Sequence, residues 1–247
     1  MKVLDMKAKT IVPEQMERNK MTLEEIYDSL QNQLPEYADI SFSQEGEDIL
    51  IKRLLKTLYS EVGSYVDVGA FHPRRFSNTA HYYMRGWNGI NIEPNPNAIQ
   101  LFENERPRDV NLSLAIGESG EEIYHAFKEP AFNTFVKDNV QFAMGKTELL
   151  GMYSIPKRPL SEIIRQNQES LNGLVFFNID VEGMELEVLK TNDWSRYRPV
   201  LVLVEILEEE KYADIDQFLR GVGYHFVART KNTFFYAEEN FKRCYVD

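Results

Sequence analysis

Four acidic residues stand at the carboxyl ends of apolar segments that have the composition of buried strands. They are Asp67, Glu93, Asp180 and Glu205. The carboxyl ends of parallel strands meet at one edge of a sheet, where α/β proteins bind their ligands. Acids buried together at such an edge repel one another unless a ligand, a proton or a cation satisfies them. The pattern therefore predicts a binding site built on carboxylates.

The segment at residues 63–73 predicts a short apolar strand that ends in an acid and a glycine and then opens a loop. Gly69 would let the backbone approach a ligand closely at the end of the strand, as in sites for adenosyl cofactors. Glu93 follows about 24 residues later, close to the spacing at which a carboxylate accepts both ribose hydroxyls of an adenosine. The three-glycine dinucleotide fingerprint is absent, so this junction alone is a weak signal.

Composition limits the partners that this protein can have. The chain has 39 acids against 28 bases and a net charge of -11, which disfavours nucleic acid and anionic membranes as partners. Its one cysteine, Cys244, cannot form an internal disulfide, and this favours a reducing, cytoplasmic location. We expect no signal peptide, since residues 1–20 lack an apolar core of the required length, and no membrane span, since no apolar run reaches about 18 residues.

The chain length suits one α/β domain, which we place at residues 41–247, preceded by a helical arm at 1–40. In the arm, Thr22 with Glu25 three residues later predicts a capping box at the start of a helix over 22–33. We expect the arm to pack on the domain or on a second subunit, as in a homodimer. Another helix is expected to end near Tyr59, with Leu58 on its buried face.

From residue 63 onward the pattern alternates between strands and helices. Two consecutive crossovers of this length predict parallel strands covered by helices. Residues 118–160 interrupt this alternation with an edge strand at 121–128 and a long loop. We expect this insertion to form the substrate side of the site. The predicted strands are 65–70, 89–93, 110–116, 173–180, 200–205 and an antiparallel pair at 224–229 and 233–237; the predicted helices are 79–86, 97–105, 160–168, 184–190 and 215–221.

Five motifs stand in one order along the chain: SQEGED (43–48), DVGA (67–70), SNT (77–79), GWNGINIEPNP (86–96) and DVEGME (180–185). Together they resemble the FkbM family of S-adenosylmethionine-dependent methyltransferases, over residues 41–237. The resemblance implies a class I methyltransferase fold, a three-layer sandwich around a mostly parallel seven-stranded sheet with an antiparallel last strand. It also implies O-methylation of sugars or of related natural-product and surface-glycan precursors.

The resemblance also implies roles for individual residues. Asp67 and Gly69 would line the methionine end of S-adenosylmethionine, and Glu93 would bind the ribose. Ser113 with Ala115 would border the adenine. Ser43 and Gln44 would close the pocket, although residues 43–48 also read as a helix cap with acids at the positive end of the helix dipole.

Methyl transfer to a sugar needs an in-line hydroxyl oxygen and a group that takes or shares its proton. His72, Asp180, Glu182 and Glu205 could reach one face above the methyl group. Asp180 and Glu205 could hold Mg²⁺ or Mn²⁺, which would lower the hydroxyl pKa, or they could share a proton and leave one acid as the base. Ordinary roles remain open for two of these residues: a local hydrogen bond for His72, and an acid facing a helix dipole for Glu182.

We expect a sugar O-methyltransferase that acts on a nucleotide-activated sugar or a surface polysaccharide precursor. An NAD-dependent sugar dehydrogenase or epimerase would use the same class of fold, but its glycines and its Tyr-x-x-x-Lys dyad are missing; Tyr212 precedes Asp216. A non-catalytic Rossmann-like binding module is the third possibility. It would have no reason to bury acids at the strand ends.

Overall fold

The computed structural model of the protein describes residues 22–55 and 62–241. The chain divides into two units, Met1–Asp39 and Ile40–Asp247. The expectations for Cys244, for the helix end at Leu58 and Tyr59 and for the first 21 residues of the arm lie outside the described residues.

The first unit contains helix α1, Leu23–Gln31. The hydroxyl of Thr22 accepts a hydrogen bond from the Glu25 amide at 3.2 Å, and the Glu25 carboxylate accepts one from the Thr22 amide at 2.7 Å. The predicted capping box is therefore confirmed.

The second unit is built on a seven-stranded sheet in the order β3-β2-β1-β7-β8-β10-β9. All pairings are parallel except those of β10, which runs antiparallel to both of its neighbours. The mostly parallel seven-stranded sheet with an antiparallel last strand, which the resemblance implied, is therefore confirmed. Its strands are β1 Ser64–Val68, β2 Asn88–Ile92, β3 Val110–Leu112, β7 Leu174–Ile179, β8 Leu201–Glu205, β9 Tyr224–Arg229 and β10 Thr233–Glu238.

Alternate residues of these strands enter two separate apolar clusters, as the two-residue period of a strand requires. Val66 of β1 and Phe177 of β7 face one cluster, while Tyr65 and Phe176 face the other. Both faces of the sheet are therefore covered, which gives the three-layer sandwich. The covering helices are α2 Glu47–Leu54 and α3 Ala80–Met84 on one side and α6 Leu160–Asn167, α7 Glu185–Lys190 and α8 Glu209–Gly221 on the other; helix α4, Pro96–Glu105, follows β2.

Two predictions for the chain after β2 are wrong. The single strand expected at 110–116 is two strands, β3 and β4 (Ala115–Ile116), and β4 belongs to a second sheet in the order β4-β6-β5. The long loop expected after the edge strand β5 (Gly120–Phe127) contains helix α5 (Lys137–Met144) and strand β6 (Leu149–Arg158). The second sheet has its own small core of Ala115, Tyr124 and Ile155, a long-range contact set that no local period reports.

Helix α8 begins at Glu209, six residues before the predicted start at 215. Its first turn is polar and shows no apolar period, so the sequence pattern did not reveal it. Within the described parts of the chain, every helix is too short or too polar to traverse a lipid bilayer.

Candidate active site

A cavity of about 600 Å³ opens at the carboxyl ends of the central strands. All four strand-end acids singled out in the sequence line it: Asp67, Glu93, Asp180 and Glu205. The sheet order explains this meeting, because β2, β1, β7 and β8 are consecutive neighbours. The cavity lies where open α/β sheets bind their ligands.

Gly69 permits two strand ends to come together. Its φ angle is 82°, in the left-handed region, and a Cβ built there would lie 1.7 Å from the carbonyl oxygen of Asp180. Only glycine fits such an approach. The amide of Gly69 donates to the carbonyl of Ile92 at 2.9 Å, so the ends of β1, β2 and β7 are fixed around this residue.

Asp67 is buried at the end of β1, and both of its carboxylate oxygens are hydrogen-bonded. Oδ2 accepts from the hydroxyl of Thr79 at 2.7 Å, and Oδ1 accepts from the amide of Asn178 at 2.9 Å. Burial raises the pKa of Asp67, while the two hydrogen bonds oppose that rise. The carboxylate thus points in a fixed direction.

A buried arginine fixes the proton of Thr79. The fully buried guanidinium of Arg106 donates to the Thr79 hydroxyl at 3.0 Å and is paired with Asp109 at 2.8 Å. A guanidinium can only donate, so Thr79 must accept from it and direct its single proton to Asp67. The chain from Asp109 through Arg106 and Thr79 therefore orients Asp67.

Glu93 follows β2 and is 7% exposed. Its Oε2 accepts from the amide of Phe71 at 3.0 Å and its Oε1 from the amide of Asn95 at 2.8 Å. Glu93 therefore ties the loop after β1 to the loop after β2. Burial raises the pKa of Glu93 to about 7, against the lowering effect of these hydrogen bonds.

Tyr124 of β5 brings the second sheet into contact with Glu93. Its hydroxyl donates a hydrogen bond to the Glu93 carboxylate and is also hydrogen-bonded to Asn133. Burial and the charge of Glu93 raise the pKa of Tyr124, so the phenol keeps its proton. The segment at 118–160 thus helps to shape the wall beside Glu93, whereas the sequence pattern had placed it on the substrate side alone.

Ala115 lines the cavity beside Leu114. Its place at the border of the adenine stays a prediction. Ser113 is exposed, and its hydroxyl donates to the carbonyl of Pro94 at 3.4 Å. In a single continuous strand, Ser113 and Ala115 would lie on the same face. The chain leaves the main sheet between β3 and β4, so these two residues do not share a face.

Of the two residues expected to close the pocket, Gln44 lines the cavity. The hydroxyl of Ser43 instead donates to the buried carboxylate of Asp48 at 2.8 Å. The same loop is fastened to the turn between β9 and β10, because Glu47 accepts from Thr230 at 2.7 Å and Glu45 from the amide of Lys231 at 2.8 Å. Ser43 therefore shapes the loop that presents Gln44.

Asp180, Glu182 and Glu205 form an acid cluster, with one carboxylate oxygen of each within 4.8 Å of the others. Burial and the charge of Glu205 raise the pKa of Asp180 well above its usual range. Desolvation and the charges of Glu205 and Glu185 raise the pKa of Glu182 to about 7. Three carboxylates are a ligand set that suits Mg²⁺ or Mn²⁺.

The backbone at Glu182 is strained. Its φ angle is 54° and that of Gly183 is 105°, so a non-glycine residue stands in the left-handed region beside the acid cluster. Backbone outliers of this kind occur preferentially at functional sites. Phe71 and Phe76, which also line the cavity, have φ angles of 56°, so three such residues lie around the site.

His72 lines the cavity with its ring already engaged. Its Nδ1 accepts hydrogen bonds from the amides of Arg74 and Arg75 at 3.0 and 3.1 Å. Burial and the nearby charges of Arg74 and Arg75 lower the pKa of His72, so the ring is neutral with its proton on Nε2. This arrangement suits a hydrogen-bond donor; among the described residues, His72 stands outside the acid cluster.

Sequence reasoning assigned no role to Thr79, Arg106, Tyr124 or Asn178. Asn178 carries a usable signal, since it is a polar residue inside the apolar run of β7. Thr79 lies in the SNT motif, whose position just before α3 says nothing about its partner. Arg106 and Tyr124 reach the site only through long-range packing.

The family model of the Methyltransferase FkbM domain matches residues 67–226 of the sequence. No curated protein matches the sequence significantly.

Several solved structures are similar to the chain at low identity. The precorrin-6y C5,15-methyltransferase of Geobacter metallireducens has a TM-score of 0.40 and 10% identity, covering 84% of this chain and 96% of its own. The human methyltransferase 10 domain containing protein has a TM-score of 0.42 and 12% identity, and the match covers 88% of this chain and 97% of that protein. The 1,6-didemethyltoxoflavin-N1-methyltransferase of Burkholderia thailandensis was solved with S-adenosylhomocysteine. It has a TM-score of 0.38 and 9% identity, and the match covers 78% of this chain and 77% of that protein.

The family model covers well over half of the chain and includes Asp67, Glu93, Asp180 and Glu205. With the class I sheet and the carboxylate-lined cavity at its edge, the chain belongs to the FkbM methyltransferase domain family.

Proposed function

We propose that this protein is an S-adenosylmethionine-dependent O-methyltransferase that acts on a hydroxyl of a sugar in a glycan or an activated sugar precursor. The observation that carries the proposal is the division of one cavity into two chemical halves. Glu93, Gly69 and Asp67 form one half, and the acid cluster of Asp180, Glu182 and Glu205 forms the other.

The first half fits an adenosyl cofactor. Gly69 lines the cavity at the end of β1, and Glu93 presents a buried carboxylate that can still accept a ribose hydroxyl beside its three present donors. The oriented carboxylate of Asp67 suits the cationic amine of a methionine group. Leu114 and Ala115 offer an apolar surface to a purine. Bound there, S-adenosylmethionine would supply a methyl group on a sulfonium.

The second half can manage the proton of an acceptor hydroxyl. A pKa of about 7 allows Glu182 to take up a proton near neutral pH, which suits a general base. The raised pKa of Asp180 supports a proton shared between Asp180 and Glu205. His72, with its proton on Nε2, can hold an acceptor oxygen by donating a hydrogen bond.

The same cluster could hold Mg²⁺ or Mn²⁺ through Asp180, Glu205 and Glu182. Such an ion would position the acceptor oxygens and lower the pKa of the hydroxyl. The rival account is the shared proton, in which one acid acts as the base. Both accounts keep the acceptor on the same side of the cavity, so the proposed reaction does not depend on the choice.

The test combines binding with turnover. Calorimetry should detect S-adenosylmethionine binding and no comparable binding of NAD. A methyl-transfer screen over monosaccharide glycosides, oligosaccharides and nucleotide-activated sugars should give a methyl ether with the wild type and none with Asp180→Asn. Tight binding of NAD, or methylation of amines but no sugar hydroxyl, would overturn the proposal.

A further inference from the structure

A second groove of about 280 Å³ opens off the acid-cluster side of the main cavity. The two cavities share the lining residues Asn133, Thr134, Glu182 and Leu207. Its other walls come from α5, from the turn after β7 and from the start of α8. A molecule whose reacting hydroxyl lies beside Glu182 can therefore extend into this groove.

The groove has aromatic walls with polar groups at their edges. The rings of Phe132 and Phe142 lie 6.3 Å apart at 47°, and Phe142 is 65% exposed. Leu207 is 55% exposed at the junction with the main cavity. Asn139 of α5 adds an exposed amide. Apolar and aromatic side chains that line a concave site together with a few polar groups are typical of ligand-binding sites.

The charges of the groove oppose an anionic ligand. Glu182, Glu185 and Glu208 line it, and Lys211 is the cation among its described residues. Lys211 already donates to the Gly183 carbonyl at 3.0 Å and to Glu208 at 2.9 Å. A diphosphate placed here would meet Glu182, Glu185 and Glu208 and a lysine already committed to other partners, so the local charge disfavours it relative to a neutral ligand.

We propose that the groove binds a neutral sugar ring next to the one that is methylated, so that the acceptor is an oligosaccharide or a growing glycan. A hexose has an apolar face of C–H groups and a rim of hydroxyls, and this complements an exposed phenyl ring flanked by amides and carboxylates. The inference rests on the proposed sugar O-methylation and narrows its substrate class. It disfavours a free monosaccharide and a nucleoside diphosphate sugar as the preferred acceptor.

The experiment measures methyl transfer to three matched acceptor series: methyl glycosides of single hexoses, the corresponding neutral trisaccharides, and the corresponding nucleoside diphosphate hexoses. For the wild type we expect a KM at least about tenfold lower for a trisaccharide than for its monosaccharide. Phe142→Ala should raise the KM for the trisaccharide towards that of the monosaccharide and leave kcat and the affinity for S-adenosylhomocysteine unchanged.

Met152→Ala is the matched control. Met152 lies in the same segment and is 64% exposed, but it lines neither cavity. This variant should behave as the wild type with every acceptor. Phe142→Trp should keep the preference for trisaccharides. The fluorescence of this variant should change when a trisaccharide binds, even under conditions in which no methyl transfer takes place.

The outcomes separate the inference from the proposed function. Equal KM values for monosaccharide and trisaccharide, or a Phe142→Ala variant with unchanged KM, would contradict sugar binding in the groove. Neither result would contradict the proposed methylation of a sugar. A preference for the nucleoside diphosphate sugar would also contradict the binding of a neutral sugar ring in the groove. Failure to methylate any of the three series, with S-adenosylmethionine bound, would overturn the proposed function itself.

Discussion

The carbonyl oxygen of Asp180 lies 1.7 Å from the point where a side chain at Gly69 would begin. Gly69 follows β1 and Asp180 follows β7, so the two halves of the cavity touch through their backbones. Any atom added at position 69 must move the backbone that carries Asp180. The two halves of the cavity are thus mechanically linked.

Gly69→Ala should destabilise the protein and impair cofactor binding, since the methyl group would collide with the Asp180 backbone. Gly86→Ala is the control: its φ angle is also positive, at 90°, but nothing lies within 4 Å of the added Cβ. The control should lose about 1–2 kcal/mol of unfolding free energy from the left-handed conformation alone. Chemical denaturation of both variants checks this, and equal losses would contradict the clash at Gly69.

Thr79→Val should weaken the binding of S-adenosylmethionine, because Asp67 loses a donor and Arg106 loses an acceptor. Leaving such buried partners unpaired costs about 1–3 kcal/mol. 5′-Methylthioadenosine lacks the amino acid part of the cofactor, so its affinity should change much less. Thr79→Ser keeps the hydroxyl and should retain near-normal binding of both ligands. Equal losses for the two ligands would mean that Thr79 does not act through Asp67.

Glu93→Ala should lower the affinity for S-adenosylmethionine at least tenfold, since hydrogen bonds to a charged group contribute about 1.5–3 kcal/mol each. Calorimetry measures the affinity, and circular dichroism verifies that the variant is folded. A folded variant that binds as tightly as the wild type would remove Glu93 from the ribose site.

The binding of 5′-methylthioadenosine should strengthen as the pH rises from 6 to 8. The pKa of Glu93 is about 7, so its carboxylate is mostly protonated at the lower pH and mostly ionised at the higher one. The ionised form accepts ribose hydroxyls better, and the affinity should rise up to about tenfold across this range. Glu93→Gln should flatten the profile, whereas Glu182→Gln should leave it in place. A flat wild-type profile would contradict the assignment.

Leu207→Ala should raise the KM for the acceptor and leave cofactor affinity unchanged. Leu207 lines both the main cavity and the groove on its acid-cluster side, and it is 55% exposed. Tyr124→Phe should instead change the affinity for the cofactor, because it removes the hydrogen bond to Glu93. Steady-state kinetics with each substrate varied in turn separate the two effects. The reverse pattern would exchange the sides of the cavity that these residues serve.

Excess EDTA should abolish turnover if a divalent cation orients the acceptor, and Mg²⁺ or Mn²⁺ should restore it. Asp180→Ala should then lose both activity and bound metal, since Asp180, Glu182 and Glu205 supply the ligand oxygens. Unchanged turnover in EDTA would exclude the metal and leave the shared proton, with one acid of the cluster as the base.

The sequence alone was enough to predict the alternation of strands and helices, the antiparallel last strand and the four acids at one sheet edge. These features are local: a two-residue period identifies a buried strand, and parallel strands necessarily end on the same side. The strand-end position of Gly69 predicted a close approach of the backbone to a ligand, whereas the group that approaches it in the structure is the carbonyl of Asp180.

Only the tertiary structure decided which residues meet across the chain. The hydrogen bond between Tyr124 and Glu93 requires the second sheet to pack beside β2, and the one between Arg106 and Thr79 requires the chain after α4 to return under α3. Ser113 is exposed at the point where the chain changes from one sheet to the other. The periodicity of a sequence predicts on which face of its own helix or strand a residue lies. The residue that it contacts on that face depends on the packing of distant segments, which no local pattern encodes.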